Sequence, residues 1–280
     1  MLATADLTYR YDGTLEGFYC CVFESYAAHE LPLAIRGPFD PEQSLFAVKE
    51  IPTDPERAER VARSLPVQLG REAEELCRLT FLTCLPEKEL VLLRFLRQGY
   101  HYGPRFLDFA GNAEVQAIRR AVQHLLNEAH LLKGFIRFSV QNHVLVTTIG
   151  PKNFVLPFLV RHFADRYPEE HILIYDETHG QALVYRPYEA AIIPMDEFRA
   201  APPDAEEQQF RSLWQTFYDA IEIRPRHNEK CRMTLMPKRY WRYMTEFARQ
   251  APRAAAVPVS MGKQGADSKN SLARRHQGMD

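Results

Sequence analysis

FIRFSVQNHVLVTTIG at residues 135–150, NFVLPFLVRHFADRYP at 153–168 and ILIYDETHGQALVYR at 172–186 set the architecture of this chain. The first stretch holds two runs of strand-forming residues, 135–141 and 143–149, with room between them only for a tight turn at Gln141 and Asn142. An antiparallel hairpin is predicted. In the second, apolar residues recur at helical spacing from about 154 to 166. The third reads as strands 172–176 and 181–185 on either side of a His179-Gly180 turn. The resulting β-β-α-β-β order predicts an α+β fold, a largely antiparallel sheet covered by helices.

Upstream, Val115, Ile118, Val122, Leu125 and Leu126 mark a helix that opens after Gly111-Asn112 and runs to about Leu132, with Gly134 as its stop signal. Before it, Val61, Leu65, Leu69, Leu76, Leu79 and Leu82 predict helix over 55–84, and Leu90, Leu93 and Leu96 over 86–98. At the amino end, residues 7–11 read as a strand. The Asp12-Gly13 turn then leads into a helix carrying Leu15, Phe18, Val22 and Tyr26. Pro38 and Pro41 punctuate 33–51, which predicts a hairpin or two short strands.

Downstream of Pro202-Pro203 a long carboxy-terminal helical segment is expected to start near Asp204, with Phe210, Leu213, Trp214, Phe217, Tyr218 and Ile221 on its core side. Pro225 and Pro237 break the helical pattern of residues 224–247. Residues 251–280 are poor in large apolar side chains and read as a disordered basic tail. Residues 1–250 are expected to form a single α+β domain, the glycine-flanked loop at 103–111 being the one candidate sub-boundary.

Composition narrows the function classes. With 35 Lys and Arg against 36 Asp and Glu, the whole molecule exerts no pull on a polyanion, so any attraction is local. No stretch approaches the length of a membrane span, and residues 1–10 lack the pattern of a secretory signal, so a cytoplasmic protein without membrane contact is expected. The five cysteines form no CxxC pair, and the CxxxCxxC spacing of a radical SAM cluster is absent. No metal or cofactor is predicted. The phosphate-loop, dinucleotide, zinc-protease and hydrolase motifs are likewise missing.

The strongest local signal is RPRHNEKCR at 224–232 followed by MPKRYWR at 236–242. Between 224 and 242 seven Lys and Arg residues face one acid, Glu229, a net of +6. Such a density displaces counterions from phosphates, and interleaved aromatic rings offer faces for unpaired bases. The nucleic-acid-binding candidates are Arg226, Asn228, Lys230, Arg232, Lys238, Arg239, Tyr240, Trp241 and Arg242. The alternative is that Tyr240 and Trp241 anchor the last helix while the cations pair with acids elsewhere. For chemistry, His162, Asp176 and Asp12 are the candidates, and an enzyme would need them to converge on one reacting atom.

Five blocks carry a resemblance: YDGTLEGF (11–18), KGFIRF (133–138), HFADR (162–166), IYD (174–176) and MPKRYW (236–241). Together they resemble a family of DNA metabolism proteins encoded beside a DNA-repair radical SAM protein, with related domains fused to uracil-DNA glycosylase-like domains. The resemblance spans residues 9–247 and supplies no catalytic residue. It implies a DNA-binding accessory protein, favouring single-stranded or damaged DNA, whose radical SAM partner does the chemistry. Two alternatives stay open: an enzyme acting on a damaged or modified base or nucleotide, and a protein–protein adaptor for that partner. One departure is EIRPRHN at 222–228, where Pro225 alters the presentation of Arg226 and Asn228.

Overall fold

A computed structural model describes residues 4–38, 40, 46–109 and 111–247; the expected tail lies outside these residues. The chain is mixed α/β, with helices covering two sheets. The first sheet has β1 (Thr4–Arg10) between β2 (Leu31–Arg36) and β3 (Ala47–Glu50), and both pairings are parallel. Segment 33–51 therefore supplies two short strands and not a hairpin. A parallel partner needs a crossover, which α1 (Leu15–Ala27) provides between β1 and β2.

Four helices complete this half: α2 (Pro55–Gln68), α3 (Arg71–Phe81), α4 (Lys88–Tyr102) and the long α5 (Ala113–Phe135). The expected helix over 55–84 is split at Gly70, whose φ of +91° is open to glycine and strained for other residues. Side-chain caps start three of the helices in this half. Thr14 Oγ1 accepts from the Gly17 amide at 3.0 Å, Asp54 Oδ1 from Glu56 at 2.9 Å and Asn112 Oδ1 from Val115 at 3.1 Å, each contributing about 1 kcal/mol.

Helix α5 passes its expected stop at Gly134 and ends at Phe135, so the next strand, β4 (Ser139–Gln141), starts later than predicted. It pairs antiparallel with β5 (Val144–Ile149) around the Asn142-His143 turn. Helix α6 (Leu156–Arg166) then crosses over to β6 (His171–Asp176), which lies parallel to β5. β7 (Gln181–Arg186) and an unforeseen β8 (Glu189–Pro194) complete the five-stranded sheet antiparallel, in the order β4-β5-β6-β7-β8.

Two apolar clusters meet along α5. Val115, Ile118 and Val122 pack with the three-stranded sheet and α1–α4, whereas Leu125, Ala129 and Leu132 pack with α6 and the five-stranded sheet. The changeover falls inside the helix, and the 103–111 loop contributes Phe106 and Leu107 to the first cluster. At about 1.5–3 kcal/mol per fully buried large apolar side chain, these clusters dominate the stabilisation.

Helix α7 (Ala205–Ala220) departs most from expectation. Its stripe of Phe210, Leu213, Phe217 and Ile221 faces solvent, Trp214 at the border of the stripe is 38% exposed, and no residue of the helix is buried. Helical periodicity identifies residues that share a face, but what covers that face is set by the tertiary fold. After α7 come a short turn at Arg224–Arg226, α8 (Glu229–Leu235) and a final turn at Lys238–Tyr243.

Candidate nucleic-acid interface

A buried carboxylate docks the final turn. Glu128, on α5, is buried and accepts from Tyr240 Oη at 2.7 Å, Arg239 Nη2 at 3.0 Å, the amides of Lys152 and Asn153 at 3.1 and 2.8 Å, and Asn153 Nδ2 at 2.6 Å. Burial alone would raise its pKa. The hydrogen bonds from Tyr240, Asn153 and Lys152 outweigh that effect and hold it below the ordinary value.

A second tie lies beside it. Tyr243 Oη donates to Glu177 at 2.8 Å, and Arg242 contacts both Glu177 and the Tyr243 hydroxyl. Gly150 makes room for this arrangement: a Cβ there would stand 2.0 Å from Tyr243 Oη.

These contacts reassign much of the expected binding segment. Tyr240 is no stacking platform, because it is 1% exposed and belongs to the second core. Arg239 and Arg242 are already paired with Glu128 and Glu177. Asn228 caps α8, its Oδ1 accepting from the Cys231 amide at 3.0 Å. Trp241 lies against Phe247, with ring centroids 4.5 Å apart and planes 14° off parallel, and its Nε1 donates to the Met236 carbonyl at 2.8 Å. Arg232 and Lys238 sit over the Trp241 ring at 5.2 and 5.6 Å. Lys238 Nζ is also 3.8 Å from Glu229.

A shorter ridge is left open to a polyanion. Arg224, Arg226 and Lys230 are exposed, and among the described residues none of them forms an ion pair. Beside the ridge a cleft of about 350 Å³ is lined by Asp219, Glu222, His227, Arg232, Trp241 and Glu246. His227 Nδ1 contacts Glu222, and this hydrogen bond leads the causes that hold the Glu222 carboxyl below its usual value. Sequence reasoning missed Asp219, Glu222, His227 and Glu246. The five-residue spacing of Glu222 and His227 around Pro225 was the only local signal.

The three catalytic candidates do not converge. Asp12 joins the turns after β1 and β3, accepting from the Thr14 amide at 2.9 Å, Thr14 Oγ1 at 2.7 Å and Thr53 Oγ1 at 2.6 Å. Burial works against its charge, but the bonds from Thr53 and Thr14 prevail and its pKa is lowered. Asp176 is fully buried at the end of β6, with Oδ2 2.7 Å from His179 Nδ1 and Oδ1 accepting from the Thr178 amide at 3.0 Å. His162 sits on α6, and its pKa is lowered by desolvation and then by the charges of Lys133 and Arg166. Separate neighbourhoods hold the three, so the expected site is corrected: Asp176 meets His179.

Among the described residues no group of three or more His, Cys, Asp or Glu side chains is placed to hold a metal ion. None of the described helices is long and apolar enough to cross a membrane.

A helix-covered pair of sheets whose acidic anchors seize a cationic carboxy-terminal segment defines the class of this protein as a mixed α/β domain with an exposed basic ridge. The chain belongs to the family described as domain of unknown function DUF4130, whose family model matches residues 86–246, more than half of the chain. That range takes in α4, α5, the five-stranded sheet and the segment up to Glu246. No curated protein and no solved structure matches it.

Proposed function

We propose that the protein is a DNA-binding accessory protein in DNA repair or modification, acting beside a radical SAM enzyme that performs the chemistry. One observation carries the reading: Arg226 and Lys230 stand exposed without an acid partner among the described residues, on the stretch that leads into the turn held by Glu128 and Glu177. Cations fixed to a folded surface and not neutralised internally can exchange counterions with phosphates. Lys238, 61% exposed and only 3.8 Å from Glu229, extends the ridge. The sequence blocks that resemble DNA metabolism proteins supply the repair context and the partner.

The test is affinity for single-stranded and damage-containing DNA as salt is raised. Wild type is expected to bind, with a steep fall in affinity. Arg226→Ala/Lys230→Ala is expected to flatten the logarithmic salt slope by about 1.4, from roughly 0.7 per phosphate contact on single strands. Absence of binding at low salt overturns the reading.

A second reading, an enzyme acting on a damaged or modified base, draws on the Asp176–His179 pair, in which a buried carboxylate orients an imidazole that is 26% exposed. Turnover of uracil-containing or alkylated DNA that is lost in His179→Ala is its test.

A further inference from the structure

Helix α7 is built with its polar side inward and its apolar side out. Facing the protein, Gln215 Nε2 donates to the Thr245 carbonyl at 2.8 Å, Arg211 Nη2 to Ser139 Oγ at 2.6 Å and Trp214 Nε1 to Glu246 at 3.0 Å. On the other side Phe210, Leu213, Phe217 and Ile221 are 61, 57, 52 and 58% exposed. At 3.6 residues per turn these four fall within an arc of about 80°. A stripe of that breadth is what a helix ordinarily turns toward a core, and a contiguous exposed apolar patch marks an interaction surface.

We infer that α7 packs against α7 of a second copy of this chain, antiparallel about a two-fold axis near the middle of the helix. The stripe is self-complementary in that arrangement: Phe210 faces Ile221 of the other copy, and Leu213 faces Phe217. An isologous contact requires this reciprocity. Charge favours one direction. Asp204 and Glu206 lie at the amino end, and Arg224 and Arg226 follow the carboxyl end, next to Glu222, whose carboxyl feels the Arg224 charge. Antiparallel packing sets Glu206 of each copy beside Arg224 of the other, whereas parallel packing sets like charges together. Area is adequate as well. At about 100 Å² for each half-exposed side chain, the stripe with Trp214 and Ile223 gives at most on the order of 1,200 Å² over both copies, the lower edge of the standard interface range.

Sedimentation of the full chain over a range of concentrations tests the inference. Wild type is expected to be a dimer in concentration-dependent equilibrium with monomer. Leu213→Asp/Phe217→Asp is expected to be monomeric with an unchanged far-UV circular dichroism spectrum, since neither residue is buried. Glu206→Arg or Arg224→Glu alone should raise the dimer Kd about fivefold or more, each pair occurring twice, and the double swap should restore it. A wild type that stays monomeric overturns the proposal, as it would if residues 248–280 or another protein covered the stripe. A dimer that persists in the Leu213/Phe217 variant does so too, and charge swaps that fail to restore one another exclude the antiparallel arrangement.

Discussion

The phenol of Tyr240 donates a 2.7 Å hydrogen bond to the carboxylate of Glu128, 112 residues earlier in the chain. The same carboxylate takes two backbone amides of the loop after β5, so α5, that loop and the final turn share one polar centre. The turn carrying Lys238–Tyr243 is thus positioned by an acid that is invisible in its own stretch of sequence.

Tyr240→Phe keeps the ring against Phe135 and removes one donor from Glu128, so a loss of about 1 kcal/mol is expected in chemical denaturation. Glu128→Ala strands two amides and the Asn153 side chain, and a larger loss of about 2–3 kcal/mol is expected. The Arg239 share of that loss is small, because its side chain is 34% exposed and screened by water. Equal effects of the two substitutions would contradict a shared polar centre.

Glu128 also predicts a pH dependence. Its folded pKa lies below the ordinary 4.5, so the unfolded chain binds its proton first as pH falls. The stabilisation is therefore present above about pH 4.5 and is lost as pH drops through the folded value. Glu128→Gln cannot titrate. The stability gap between wild type and this variant is expected to be constant near neutrality and to shrink in acid, read from denaturation midpoints across the range. A gap that widens in acid would mean the carboxyl is raised on folding.

Gly150 is needed for space and not for backbone freedom, since its φ is not positive. An added Cβ would stand 2.0 Å from Tyr243 Oη and 3.0 Å from Arg242 Nη2. Gly150→Ala is expected to push the final turn off the sheet at a cost of about 1–3 kcal/mol, with a red shift in tryptophan emission as Trp241 loses its packing. An unchanged melting temperature and spectrum would show that Tyr243 yields without consequence.

The distinction between local and distant partners explains what the sequence disclosed. Leu93 and Leu96, or Val115 through Leu125, repeat at helical spacing against cores that cover them, and those helices lie where periodicity puts them. Phe210 through Ile221 repeat in the same way but face solvent, because periodicity carries no information about the opposing surface. The parallel pairing of β5 with β6 follows from α6 acting as a crossover, a connection that strand patterns alone do not orient. Arg239 and Arg242 looked available because Glu128 and Glu177 are far away in sequence.

Arg226, Lys230 and Arg239 separate binding from scaffolding. Arg226 and Lys230 are exposed and make no ion pair among the described residues, so their replacement by alanine should leave stability within about 0.5 kcal/mol while reducing the salt dependence of DNA affinity. Arg239 bonds to a buried carboxylate and lies 4.6 Å over the Tyr240 ring, so Arg239→Ala should lower stability, and any effect on DNA should follow from the displaced turn. Measured together, the two variants give opposite signatures: a flatter salt slope at constant melting temperature for Arg226→Ala/Lys230→Ala, and a lower melting temperature with the slope retained for Arg239→Ala. If Arg239→Ala alone flattens the slope, the phosphates lie over the Glu128 anchor and the ridge at Arg226 and Lys230 is only a solvated surface.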